Sequence, residues 1–235
     1  KVKRPSKIYL PYYFCNCIID TIRNEGIAIE FYHINENFEP QIDDKEIDSN
    51  NMLLYINYFG VNDKVVKTLS NKYKDLIIDN SQAFFSMPLK GISTFYSPRK
   101  YFGVADGGYL YINKLLDDKF EKDISFERYK YLLKRLDVSA QESYELYQQN
   151  EKLLFGQPIK QMSQLTYNIL SSIDYEHVKL IRERNFLYLH NVIGDLNQLC
   201  LSVDGLDSPM VYPFLIVKDG LREFLIKNKI YVATY

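Results

Sequence analysis

Short apolar runs alternate with amphipathic stretches along the first half of the chain. Ile8-Tyr9-Leu10 reads as a short strand that Pro11 ends. Cys17 to Asn24 predicts a helix, with Gly26 as its stop. Ile27 to Tyr32 predicts a strand. Met52 to Asn57 predicts another, dense in apolar residues like a strand buried on both faces. Asn62 to Tyr73 carries Val65, Val66 and Leu69 at helical spacing, and Leu76 to Asp79 reads as the next strand. This β-α-β rhythm predicts an α/β fold, a mainly parallel sheet flanked by helices. Ligands of such sheets bind beyond the carboxyl ends of the strands, where Asn57 and Asp79 lie.

The second half changes character. Tyr109 to Ile112 predicts a strand, and helical signals then dominate from about Leu115 to Ile193. Ser139-x-x-Glu142 has the form of a capping box at a helix start. Met162, Leu165, Ile169 and Ile173 make one apolar stripe, and Val178, Ile181, Leu189 and Val192 most of another; both predict helix-packing faces. Arg182 and Arg184 are expected to face solvent. A junction rich in Asp, Ser and Gly runs from Leu201 to Pro209. The tail then reads strand (Val211 to Val217), helix (Leu221 to Asn228), strand (Ile230 to Ala233). The expected division is residues 1–200 as a large domain and 201–235 as the start of a small C-terminal α/β domain.

Composition narrows the function classes. The chain has 235 residues, 46% hydrophobic and 25% charged, which is ordinary for a soluble globular protein. A net charge of -1 gives no reason to expect a nucleic-acid or anionic membrane partner. No apolar run is long enough for a membrane span. Cys15, Cys17 and Cys200 are too few and too scattered for a disulfide framework or a four-ligand zinc site, so the expectation is no metal and a reduced, cytoplasmic setting. His33, His177 and His190 do not cluster and read as structural. Gly103-x-x-x-Gly107-Gly108 is neither a dinucleotide fingerprint nor a P-loop.

The candidate chemistry lies between Ile77 and Gly108. Asp79 ends a buried-looking strand, Gln82 follows it, and Lys100 sits in an aromatic, Pro-containing turn before Asp106-Gly107-Gly108. A lysine in a tight loop can form a Schiff base with the aldehyde of pyridoxal 5'-phosphate (PLP). A strand-end carboxylate can keep the pyridine nitrogen protonated, so that the ring acts as an electron sink.

Asp79-x-x-Gln82, followed by Lys100 and then Asp106-Gly107-Gly108, resembles the motif set of the PLP-dependent nucleotide-sugar aminotransferases, the DegT/StrS group, of fold type I. The resemblance covers nearly the whole chain. It implies a PLP-transferase-like large domain in which Lys100 holds the cofactor, Asp79 meets the ring nitrogen and Gln82 contacts the ring substituents. Tyr13 or Phe14 is the implied stacking aromatic, and Asn57 stands where a His is common. The group's phosphate-binding serine lies five residues before the lysine, which is Phe95 here; Thr94 and Ser97 are the candidate substitutes. Ile159-Lys160-Gln161-Met162-Ser163 stands where the group has an Asn-x-Arg-Met-Ser run directed at the partner subunit.

The implied substrates are a keto-sugar nucleotide and an amino donor, in polysaccharide or amino-sugar biosynthesis, and the implied assembly is a homodimer. Two alternatives stay open: a PLP-type sugar dehydratase, which typically has His in place of the lysine, and a non-catalytic protein that retains the fold. Members of the group are longer at both ends, so the chain is expected to lack the phosphate-cradling helix before Ile8 and to be cut off just after Tyr235.

Overall fold

Asn51–Ile56 is the middle strand of the molecule, and its last four residues are all buried. A strand covered on both faces needs apolar side chains on both, and Leu53, Leu54, Tyr55 and Ile56 supply them. In the computed structural model, which describes residues 4–15, 18–43, 45, 47–48, 50–114 and 119–233, the sheet is built around this strand. The elements in chain order are β1 (Lys7–Pro11), α1 (Ile19–Asn24), β2 (Ala28–Ile34), β3 (Pro40–Gln41), β4 (Asn51–Ile56), α2 (Asp63–Lys72), β5 (Leu76–Asp79), β6 (Ser93–Tyr96) and β7 (Tyr109–Tyr111).

They form a seven-stranded sheet in the order β3-β2-β1-β4-β5-β6-β7. The five inner strands are parallel, and β3 and β7 close the edges antiparallel. The mainly parallel α/β sheet is therefore as expected from the alternating pattern. The strands β3 and β6 were not foreseen. Ser93-Thr94-Phe95-Tyr96 alternates half-buried and buried residues beside β5, with Asp79 in register with Phe95. The main core packs β1, β4 and β5 against Ile22 of α1 and Val66 and Leu69 of α2.

Helices follow: α3 (Lys130–Asp137), α4 (Tyr144–Leu154), α5 (Gln164–Ser171), α6 (Tyr175–Ile193) and α7 (Leu221–Lys227). The predicted starts at Cys17 and Leu115 lie outside the described residues. Ser139 does accept from the Glu142 N–H at 3.1 Å, but it caps only a turn, since α4 begins later at Tyr144. The stripe on α6 is not the buried face: Leu189 and Val192 are exposed, and the buried residue is Phe186. Its ring meets Tyr212 edge-on at 4.9 Å.

The tail corrects the sequence reading most. Neither 211–217 nor 230–233 is a strand, although α7 forms. The Asn197 side chain takes the backbone bonds that a neighbouring strand would have made. Its Oδ1 accepts from the Leu215 N–H at 2.9 Å, and its Nδ2 donates to the Pro213 carbonyl at 2.9 Å. Among the described residues no helix is long and apolar enough to cross a membrane.

Candidate active site

The chain leaves β1 for β2 on one side and later enters β4 on the other. The carboxyl ends of β1 and β4 thus bound the crevice where strand order reverses, the usual ligand position in such sheets. Tyr13 follows β1 and Tyr58 follows β4. Their rings stack 5.4 Å apart, and the Tyr58 hydroxyl donates to the Tyr13 carbonyl at 2.8 Å. Phe14 packs against the main core. Burial, with the charges of Tyr13 and Asp79 behind it, holds the Tyr58 hydroxyl far above its ordinary range.

Asp79 closes β5 and is buried. The Ser81 N–H donates to its Oδ1 at 2.7 Å, an Asx-type turn that bends the chain away from the sheet. Burial raises the Asp79 carboxyl above its usual range, while the Ser81 hydroxyl and N–H and the Lys100 charge act the other way. Lys100 ends a 3-10 turn, Pro98–Lys100, and its Nζ donates to Ser81 Oγ at 3.1 Å. The lysine and the acid thus meet through one serine. The Tyr101 hydroxyl donates to the Gln82 carbonyl at 2.7 Å and fastens the lysine turn to the acid turn.

The other sequence candidates are placed as follows. Gln82 Oε1 accepts from the Phe59 N–H at 3.0 Å, so this group braces the turn after β4. Phe59 itself has a φ of 59°, in the left-handed region that non-glycine residues seldom adopt, and its carbonyl accepts from the Met210 N–H at 2.7 Å. Asn57 is fully buried and donates to Asp63 Oδ1 at 2.7 Å, which makes it a scaffold for the start of α2. Thr94 is buried and donates to the Ile92 carbonyl at 3.3 Å, while Phe95 packs toward the main core. Ser97 precedes the lysine turn and makes no capping bond with its side chain.

Sequence reasoning missed three partners of the site. Ser81 carried a signal, a hydroxyl two residues after a strand-end Asp. Arg128 and Thr166 carried none. Asp106 is buried, accepts from Thr166 Oγ1 at 2.5 Å and from Arg128 Nε at 2.8 Å, and Arg128 also pairs with Asp123. Asp106 therefore ties α5 to the glycine turn after Lys100. Arg182 is also corrected: it does not face solvent. Its guanidinium lies 4.4 Å from the Tyr101 ring centroid and donates to the Met210 carbonyl at 3.0 Å, and burial lowers its proton affinity. Arg184 is exposed.

The donor set suits a pyridine cofactor with an aldehyde: a buried carboxylate, an amine within a hydrogen-bonded chain of it, and an aromatic pair at the mouth of the crevice. Among the described residues no group of three His, Cys, Asp or Glu side chains could hold a metal ion.

No family model and no curated protein matches the chain. Solved structures do. The sugar aminotransferase CalS13 from Micromonospora echinospora matches with a TM-score of 0.54 at 12% identity, over 96% of this chain and 65% of that one. Helicobacter pylori PseC, an aminotransferase involved in the biosynthesis of pseudoaminic acid, matches with a TM-score of 0.54 at 16% identity, over 97% and 64%. DesV of S. venezuelae matches with a TM-score of 0.52 at 13% identity, over 95% and 62%. The chain spans less than two thirds of the length of each. The sheet order, the helices around it and these likenesses together establish that the chain has the PLP-transferase-like fold of the sugar aminotransferases.

Proposed function

We propose that the chain belongs to a PLP-dependent aminotransferase that acts on a keto-sugar nucleotide, with Lys100 as the residue that bonds the cofactor. The observation that carries this reading is the convergence of Lys100 Nζ and the Asp79 carboxylate on Ser81. Pyridoxal 5'-phosphate, bound there, would supply the electron sink for amino transfer. Asp79, held in a buried site, would keep a charge opposite the ring nitrogen, where a low local dielectric strengthens it. Lys100 Nζ would hold and move the proton at the reacting carbon. Tyr13 or Phe14 would cover the ring and exclude water. Gln82 would reach the ring substituents through Nε2, since its Oε1 is held by Phe59. Ser97 would serve the phosphate in place of the serine that Phe95 replaces.

The same reading includes a homodimer, an amino donor as second substrate, a cytoplasmic setting and a role in polysaccharide or amino-sugar biosynthesis. It also takes residues 201–235 as the start of a small C-terminal domain. One observation favours the rival, a non-catalytic protein with this fold: Phe95 packs toward the core where the group has its phosphate-binding serine. Titration with PLP decides between them. A visible absorbance band that is lost in Lys100→Met supports the enzyme reading. No band at any cofactor concentration supports the rival.

A further inference from the structure

We infer that Ser81 is a positioning residue that holds Lys100 Nζ and the Asp79 carboxylate in one hydrogen-bonded chain across the site. The inference rests on the reading of Lys100 and Asp79 as the reactive pair, and it concerns a position that the Asp79-x-x-Gln82 motif leaves unspecified.

The geometry fixes the direction of each bond. A serine hydroxyl has one proton to give and lone pairs to accept with. The Asp79 carboxylate can only accept, and the Ser81 N–H donates to its Oδ1 at 2.7 Å. A lone pair of the Ser81 hydroxyl faces Lys100 Nζ, which donates at 3.1 Å. The nearby hydroxyl also lowers the proton affinity of the acid. Ser81 is itself buried, so water does not readily replace either contact.

Lys100, by contrast, is an exposed residue and comes from a short turn. A long side chain in that position loses rotamer freedom only if something holds its end, and Ser81 Oγ holds Nζ at 3.1 Å. The charged or ionisable groups that act on Asp79 are Lys100 and, from the turn after β4, Tyr58. An alanine at position 81 keeps the backbone bond to the acid but removes the acceptor that holds Lys100 Nζ and the hydroxyl that lowers the proton affinity of Asp79.

The test uses the cofactor-free chain and its variants Ser81→Ala and Ser81→Thr. Two signals are read by NMR: the titration of the Asp79 carboxyl carbon, assigned with Asp79→Asn, and the order parameter of Lys100 at Cε. In Ser81→Ala the Asp79 titration should move upward and the Lys100 order parameter should fall. Ser81→Thr, which keeps the hydroxyl, should restore both. Either signal unchanged in Ser81→Ala overturns the inference. If Ser81→Ala does not fold, the unmodified chain carries the test. Its Ser81 Cβ resonance should follow the Asp79 titration and should shift in Lys100→Met. A Ser81 resonance indifferent to both overturns the inference. These readouts need no PLP, so a chain that fails to bind PLP but keeps the coupling refutes the proposed enzyme function alone.

Discussion

The Tyr101 hydroxyl donates to the backbone carbonyl of Gln82 at 2.7 Å. One bond thus joins the residue after the lysine to the residue that ends the acid motif. Arg182 stacks on the same ring from α6. Tyr101→Phe should keep the fold and cost about 1 kcal/mol, the usual net value of one hydrogen bond. Urea denaturation would measure the loss. A larger effect is expected on the Lys100 turn, seen as faster amide exchange at residues 98–101.

The buried Asp79 carboxyl has its proton affinity raised in the folded chain, with burial as the largest cause. Across the window from the ordinary carboxylate value up to the raised one, the folded state binds more protons than the unfolded state. Stability from this group therefore falls as pH rises through that window and is fully present below it. Thermal melts of wild type and Asp79→Asn over mildly acidic pH check this: the variant should lose that component of the slope. It should also fail to develop the PLP-dependent visible band in full.

Arg128 faces two carboxylates, Asp106 and Asp123, with little exposure on any of the three. Removing the cation leaves the buried Asp106 and the partly exposed Asp123 without their shared partner. Arg128→Met should destabilise by roughly 3–5 kcal/mol, the range for one partner removed from a buried pair. Adding Asp106→Asn to it should recover part of the loss. Chemical denaturation of the single and double variants measures both.

Gly107 has a φ of +101°, and a Cβ there would stand 3.1 Å from Thr166 Cγ2 and 3.2 Å from Met162 Cε. Gly107→Ala combines backbone strain with crowding against α5. It should cost about 1–3 kcal/mol, and the same substitution at Gly103, where nothing lies within 4 Å, should cost less. Melting temperatures of the pair provide the comparison.

What the sequence showed follows from which interactions are local. Leu76–Asp79 was readable because four residues flanked by turn formers carry their own signal, and Asp79 falls where the strand ends. Ser93–Tyr96 was not, because its polar and aromatic residues resemble the turn beside it; only pairing with β5 makes it a strand. The apolar run at 211–217 misled for the opposite reason. It looks like a strand, but Asn197 supplies the partners that a strand would need. At the site, Asp79 and Lys100 were legible as a spaced pair. Arg182 was misjudged because helical periodicity describes where a Cβ points, while its long side chain reaches across to Tyr101.

The peptide of Phe59 is bonded at both ends, its N–H to Gln82 and its carbonyl to Met210. This has a consequence in time. The strand that ends in Asp79 and the strand that precedes the Lys100 turn emerge before Met210 and pair through contacts close in sequence. Phe59 must nonetheless hold an unfavourable left-handed conformation, and one of the bonds that hold it comes from far downstream. Arg182, which grips both Tyr101 and Met210, also arrives late. The brace on Phe59 is therefore completed only after the sheet has formed, when the segment around Met210 docks. On a nascent chain the sheet precedes this brace, and a protein halted before that segment would hold Phe59 by its bond to Gln82 alone.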